Sequence, residues 1–189
     1  PPSPRDELSL KTKADLPNID ASLSWCVETG HTELGLRLYS RIAWAWLPHG
    51  DLSEGRRILS GLLEPGEGAI ASLARARTLG YASLFAQWQG EYGAARRLAD
   101  ESLAMAREIG DKYQVSWSLS RIAMVARTVG ELGEAVAWAE ESLTIARELG
   151  SLERMHGALA TLGFLAHKLG DQEKARALFE EALAIGESP

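Results

Sequence analysis

Arginines set beside aromatic side chains are the groups in this 189-residue chain best suited to chemistry. Arg37, Ser40, Arg41 and Trp44 form one set, and Arg77, Tyr81, Leu84 and Trp88 a second. Trp117, Arg121, Met124 and Arg127 form a third, and Phe164, His167 and Lys168 a fourth. A guanidinium offers a planar fork of donors that fits a carboxylate or phosphate, and an aromatic face stacks on a flat group or holds a cation. Spacings of three and four place each set on one helix face. The chemistry these sets offer is capture of an acidic or aromatic ligand.

Covalent chemistry has no comparable footing. The phosphate-loop pattern Gly-x-x-x-x-Gly-Lys-Ser/Thr is absent, and the chain has no Gly-Lys pair. Gly-x-Gly-x-x-Gly, Gly-x-Ser-x-Gly and His-Glu-x-x-His are absent as well. The histidines are His31, His49, His156 and His167. His156 and His167 lie about three helical turns apart, too far to share a metal. The lone Cys26 builds neither a disulfide nor a thiolate zinc site, and beside Leu23 and Trp25 it reads as a small buried apolar residue. The chain is therefore expected to be no enzyme and to hold no metal and no cofactor.

The elements that position the arginines follow from a repeat. Gly50-Asp51, Gly90-Glu91, Gly130-Glu131 and Gly170-Asp171 recur every 40 residues. Gly55, Ala95, Ala135 and Ala175 follow in register, then Leu63, Leu103, Leu143 and Leu183. Within residues 111–130 the apolar residues Trp117, Leu119, Ile122, Ala123, Val125 and Ala126 fall at helical spacing. Gly130 ends that helix, Glu131 opens the next at its positive dipole end, and Leu132, Ala135, Ala139, Leu143 and Ala146 form its stripe. Each unit is thus a helical hairpin, and no segment shows the sustained alternation of a strand. Ala123 and Gly163 sit one period apart, where a larger side chain would hold paired helices apart.

Leu159-x-x-Leu162-Gly163-x-x-Ala166, followed by Gly170-Asp171-x-x-x-Ala175-x-x-x-Phe179-x-x-Ala182-Leu183, resembles a tetratricopeptide repeat. The usual unit has 34 residues, so this is a long-helix variant, and the proline that often closes the unit is missing. The resemblance covers residues 31–186. A second resemblance starts at Asp15-Leu16-Pro17-Asn18-Ile19 and Leu23-Ser24-Trp25. It continues through Leu34-Gly35-Leu36-Arg37-Leu38, Trp44-Ala45-Trp46 and Gly50-Asp51-Leu52-Ser53-Glu54-Gly55-Arg56-Arg57. This order is similar to the region after the NTPase core of bacterial signal-transducing ATPases, many of them LuxR-type transcriptional regulators. Ile19 departs from that family's usual Leu. The resemblance implies a sensor arm, with ATP hydrolysis and DNA binding in domains outside this chain.

The expected fold is all-α: a right-handed superhelical stack of four such hairpins after one lead helix. Residues 1–13, opening on Pro1-Pro2-Ser3-Pro4, read as a linker or tail of a fragment. The repeat domain spans 14–189, with a lead helix over 14–30 that has Pro17 in its first turn. The repeats cover about 31–66, 67–110, 111–150 and 151–189. Pro65-Gly66-Glu67-Gly68 is the expected kink.

Charge divides by helix. The net charge is −6. The first-helix segments hold nine basic and three acidic residues, whereas the second-helix segments hold eight and eighteen. In stacked hairpins the first helices line the concave face, so an acidic protein should carry a basic inner groove. The four arginine–aromatic sets project into it. Trp25, Trp46 and Trp138 are expected only to pack between helices, and the acidic outer face (Glu131, Glu134, Glu140, Glu141, Glu148, Glu180, Glu181) only to solubilise.

The groove's expected partner is a protein, a peptide, a small acidic effector or another domain of the parent protein. The alternative is a free-standing scaffold or chaperone-adaptor clamping a peptide. Direct nucleic-acid binding is not expected, because the acidic outer face opposes steering of phosphates. Membrane association is not expected either, since no apolar run reaches about 18 residues. One cysteine and no signal-peptide pattern fit a cytoplasmic location. The last helix keeps an apolar stripe (Ala175, Leu178, Phe179, Ala182, Leu183, Ile185), which predicts further repeats or self-association there.

Overall fold

The computed structural model describes residues 4–46, 52–64 and 71–186. Among these the chain is all helix: α1 (Pro4–Glu28), α2 (Thr32–Trp46), α3 (Leu52–Leu63), α4 (Leu73–Trp88), α5 (Tyr92–Ile109), α6 (Lys112–Val129), α7 (Leu132–Glu148), α8 (Leu152–Lys168) and α9 (Gln172–Gly186). The helices pair closely in sequence order as α4/α5, α6/α7 and α8/α9, whereas α2 packs mainly on α1 and α4 and only lightly on α3. Gly50-Asp51 and the expected kink at Pro65-Gly66-Glu67-Gly68 lie outside the described residues.

The turns explain the glycine spacing. Gly110 and Gly130 take φ of 79° and 90°. That left-handed conformation carries a steric cost for any residue with a Cβ. It lets the Asp111 N–H reach back to the Ala106 carbonyl at 3.1 Å and the Glu131 N–H to Ala126 at 2.9 Å. These bonds satisfy carbonyls that the helix end would leave open. The next helix starts at once: the Asp111 carboxylate accepts the Gln114 N–H at 2.7 Å, and Ser151 accepts that of Arg154 at 3.4 Å. Glu131 makes no such side-chain bond, so only its charge bears on the start of α7.

The lead helix is longer than expected. It starts at Pro4, ten residues before the expected start, so Pro17 lies in its interior rather than in its first turn. Residues 5–13 are rich in charge and carry little apolar periodicity, which hid the helix. Proline as the first helical residue costs nothing, because its missing N–H would be unpaired there anyway. Downstream, Leu23 and Cys26 are buried against α2 and α3. The Cys26 thiol is pushed up by burial, as suits an inert packing residue. Trp25 corrects an expectation. It is 49% exposed and stacks on the His31 ring at 4.7 Å instead of packing between helices. Trp138 does pack between helices, against two neighbouring core clusters. The side chain of Trp46 lies outside the described residues.

Small residues set the distances between helices. Ala76, Ala95, Ala99, Ala106, Ala123, Ala126, Ala135 and Ala158 are sealed from solvent. Serines take the same role within and between hairpins. Ser116 and Ser142 each donate to the other's carbonyl, at 3.1 and 2.8 Å. Ser102 donates to the Ala76 carbonyl at 2.7 Å and lies 2.8 Å from Ser118, and the Gln114 amide closes the cluster. A short polar side chain keeps the backbones close and leaves no buried donor unmet.

This packing is one-sided. The first helices α2, α4, α6 and α8 touch one another in sequence, whereas α3, α5, α7 and α9 keep their backbones apart. The stack therefore curves with the first helices inside. Ion pairs span the wider outer spacing: Arg107 to Glu141 at 2.8 Å, Arg147 to Glu181 at 2.7 Å, and Arg96 to Glu134 at 3.4 Å. Exposed pairs of this kind are worth about 0.2–1 kcal/mol each.

Gly163 gives a test of the close approach. A Cβ there would stand 2.7 Å from Cε1 of Phe179 on α9. Gly163→Ala is expected to lose about 1–2 kcal/mol, because overpacking outweighs the gain of up to about 1 kcal/mol in helix propensity. Gly133→Ala, where a Cβ meets nothing, is expected to gain a few tenths of a kcal/mol. Urea unfolding of the two variants reads the difference, and equal signs would contradict it.

Candidate ligand groove

The first helices present their inner faces along one groove. Tyr39 on α2 is buried and meets Tyr81 on α4 edge-on at 6.4 Å. Tyr81 in turn leans on Trp117 of α6 at 4.8 Å. A Cβ at Gly80 would run into the Trp117 ring, so glycine at that position is what admits the indole. Phe164 on α8 is held edge-on by Phe179 at 5.2 Å yet remains 53% exposed. The groove thus has an aromatic floor running from α2 to α8.

Between α6 and α8 the groove deepens into a half-open pocket of about 320 Å³. Trp117, Met124, Ala160 and Phe164 form its apolar walls. Arg121, Arg127 and Arg154 supply its charge, with Ser120 and Thr161 as neutral polar groups. The void has a simple origin. Register 37, 77, 117 carries Arg37, Arg77 and Trp117, but Gly157 stands at the fourth position and projects nothing.

The electrostatics of the pocket are strained. Arg121 is mostly buried, and its pKa is pushed down to about 10, first by burial and then by the positive charge of Arg154. Tyr81 is raised by burial, and the charges of Arg154, Arg77 and Arg121 act against that rise. The Nε–H groups of Arg121 and Arg154 are both shut off from solvent without an acceptor. Arg121 donates through Nη2 only to the Met124 sulfur, a weak acceptor. Among the described residues no carboxylate pairs with it. Arg154 is better placed, bonded to Glu153 at 2.6 Å and 5.0 Å above the Tyr113 ring. Glu153 also accepts the Tyr113 hydroxyl at 2.8 Å. Arg127 lies 5.8 Å above the Phe164 ring.

The structure sorts the expected groove residues. Trp117, Arg121, Arg127 and Phe164 come together in the pocket, and Tyr81 packs behind Trp117. Arg37 and Arg41 are exposed on α2, Arg77 lies near Tyr81, and Trp88 is 56% exposed at the end of α4. These four line no part of the α6–α8 pocket. His167 turns to Gln172 at 3.0 Å, and neither it nor Lys168 lines that pocket. The side chain of Trp44 lies outside the described residues. Arg154 and Tyr113 were missed. They stand three and four positions before the Trp117/Gly157 register, and Arg154 lies over the Tyr113 ring of α6. Gly157 in an otherwise filled register was the available signal.

A stack of helical hairpins with the first helices inside defines a repeat solenoid, and its family can be named. Models described as tetratricopeptide repeat match residues 74–148 and 157–188, together more than half of the chain. The chain belongs to the tetratricopeptide-repeat family. Repeats of this family are in general non-catalytic surfaces for protein or peptide partners. Among solved structures it is similar to BtubC from P. vanneervenii, at a TM-score of 0.66 and 20% identity over 90% of this chain and 73% of that one. It is also similar to MamA, at 0.65 and 14% identity over 94% and 92%. A kinesin light chain repeat protein of Podospora anserina matches at 0.63 and 14% identity, over 92% and 95%. These likenesses concern the fold. Two relatives named as HTH-type transcriptional regulators, from Mycobacterium bovis and Mycobacterium tuberculosis, are 30% identical over 55% of this chain. The match spans 13% of those relatives' length. Among the described residues, no helix is long and apolar enough to cross a membrane.

Charge burial at Arg121 yields a stability prediction. Lowering of the Arg121 pKa to about 10 corresponds to a penalty on the order of 3 kcal/mol on the charged side chain in the folded state. Arg121→Met is expected to raise stability by about that amount near pH 7, read as a higher urea midpoint with the slope unchanged. A lower midpoint would mean that the guanidinium is a structural pillar.

Proposed function

We propose that this chain is the regulatory interaction arm of a bacterial ATPase-type transcriptional regulator and that its concave groove receives the controlling partner or acidic effector. The single observation that carries the reading is the inner groove itself: strained, acid-poor arginines on an aromatic floor, beside an outer face where arginines are paired with glutamates. A scaffold with no ligand would gain nothing from keeping Arg121 uncompensated. The similarity to mycobacterial proteins named as HTH-type regulators supports the regulatory half. ATP hydrolysis and DNA reading then belong to parts of the parent protein beyond this segment, and the arm works in the cytoplasm.

Two measurements test it. The coding sequence upstream of this segment is expected to encode a phosphate-loop ATPase domain, and a parent without one would sink the regulatory assignment. A photo-crosslinking p-benzoylphenylalanine placed at Arg41 in the groove is expected to trap a partner in cells, whereas one placed at Glu140 on the outer face should not. Adducts only from the outer position would move the interaction surface out of the groove.

A further inference from the structure

We infer that the pocket between α6 and α8 is a site for a compact aromatic carboxylate, its anionic group held by Arg121 and Arg154 and its ring laid between Trp117 and Phe164. The inference deepens the groove reading above and rests on it. It names one subsite and the chemical class that fits there.

The charge balance asks for an anion. Arg121, Arg127 and Arg154 bring three positive charges to the pocket, and Glu153 is the one carboxylate bonded to any of them among the described residues. Arg121 and Arg154 repel each other, and each has an Nε–H sealed away without an acceptor. A carboxylate entering beside them offsets the repulsion and gives the guanidiniums a bidentate acceptor. Arg127 adds a third positive charge from above the Phe164 ring.

Shape selects the body of the ligand. About 320 Å³ is at the small end of ligand pockets, so the occupant is compact. The remaining walls are the Trp117 and Phe164 rings and the Met124 thioether, which favour a flat apolar group. Phe164 is 53% exposed and therefore has a face to cover. Phosphate alone would satisfy the charge and leave this wall bare. The pocket is also built for this ligand by an omission, because Gly157 stands where the previous repeat inserts Trp117.

Calorimetry of the full 189-residue chain with 2-naphthoate tests the inference. One molecule per chain is expected to bind, with the neutral 2-naphthamide at least tenfold weaker. Arg121→Met and Arg154→Met are each expected to weaken 2-naphthoate at least tenfold. Gly157→Leu, which fills the void, is expected to abolish binding, with helicity by circular dichroism unchanged in all three. Equal affinity for acid and amide, or unchanged binding in both arginine variants, would overturn the site. Displacement by equimolar inorganic phosphate would overturn the aromatic half, and tighter binding of an octapeptide ending in Phe would overturn the assignment to a small acid. Arg41 lies outside this pocket. A crosslinked partner at Arg41 without naphthoate binding would therefore defeat this inference and leave the groove reading standing.

Discussion

Close approach of helix backbones is the constraint from which the rest of this molecule follows. Alanine, serine and glycine at repeating positions let adjacent helices settle against each other, and dispersion over those contacts rewards the approach. Substituting any of them with a larger residue would not simply add volume. It would move one helix relative to the next, and with it the row of side chains that the inner helices share. The serine pairs show how narrow the tolerance is. Ser116 and Ser142 bond each other's backbones across the α6–α7 approach, a geometry that exists only at that separation.

Because the inner helices touch and the outer ones do not, charged side chains meet different surroundings on the two sides. The outer spacing is wide enough for an arginine of one hairpin to meet a glutamate of the next. Arg107 with Glu141 and Arg147 with Glu181 repeat the same offset one period apart. On the inner side long side chains cross to the neighbouring inner helix, as Gln87 does to the Met124 carbonyl and Arg154 to the Tyr113 ring. Arginines there are folded against aromatic rings and partly stripped of water, which makes their charge costly. An uncompensated buried charge beside an outer face of paired charges is the feature on which the proposed binding role rests.

The periodic parts of this structure were legible in the sequence. Glycines spaced by 20 and 40 residues fixed the hairpin register. Ala135, Ala139, Leu143 and Ala146 were placed on one apolar stripe and are buried, Cys26 was placed in a packing role, and Gly163 was placed at a close contact. What failed were the departures from period. The start of α1 was invisible because residues 5–13 have no apolar stripe to read. Trp25 was assigned to the core by its type, yet an indole at a helix end can find a histidine two turns of chain away as readily as a core. The cross-hairpin ion pairs were hidden because charge counts on a helix say nothing about which neighbour lies within reach.

The pocket illustrates the same limit from the opposite direction. A projection of equivalent positions assumes that every repeat fills its register alike, and on that assumption Arg121 and Phe164 are simply successive members of a basic, aromatic row. The cavity arises where the assumption breaks. Gly80 yields its space to Trp117, which pulls that ring toward α4, and Gly157 yields its space to nothing. Arg154 then reaches over α6 from a position that in the preceding repeat, as Gln114, is part of a buried polar cluster. One glycine thus separates a repeat that fills its register from a repeat that leaves a pocket. In a solenoid whose scaffold is set by residues present in every unit, specificity has to reside in the residues that one unit alone lacks.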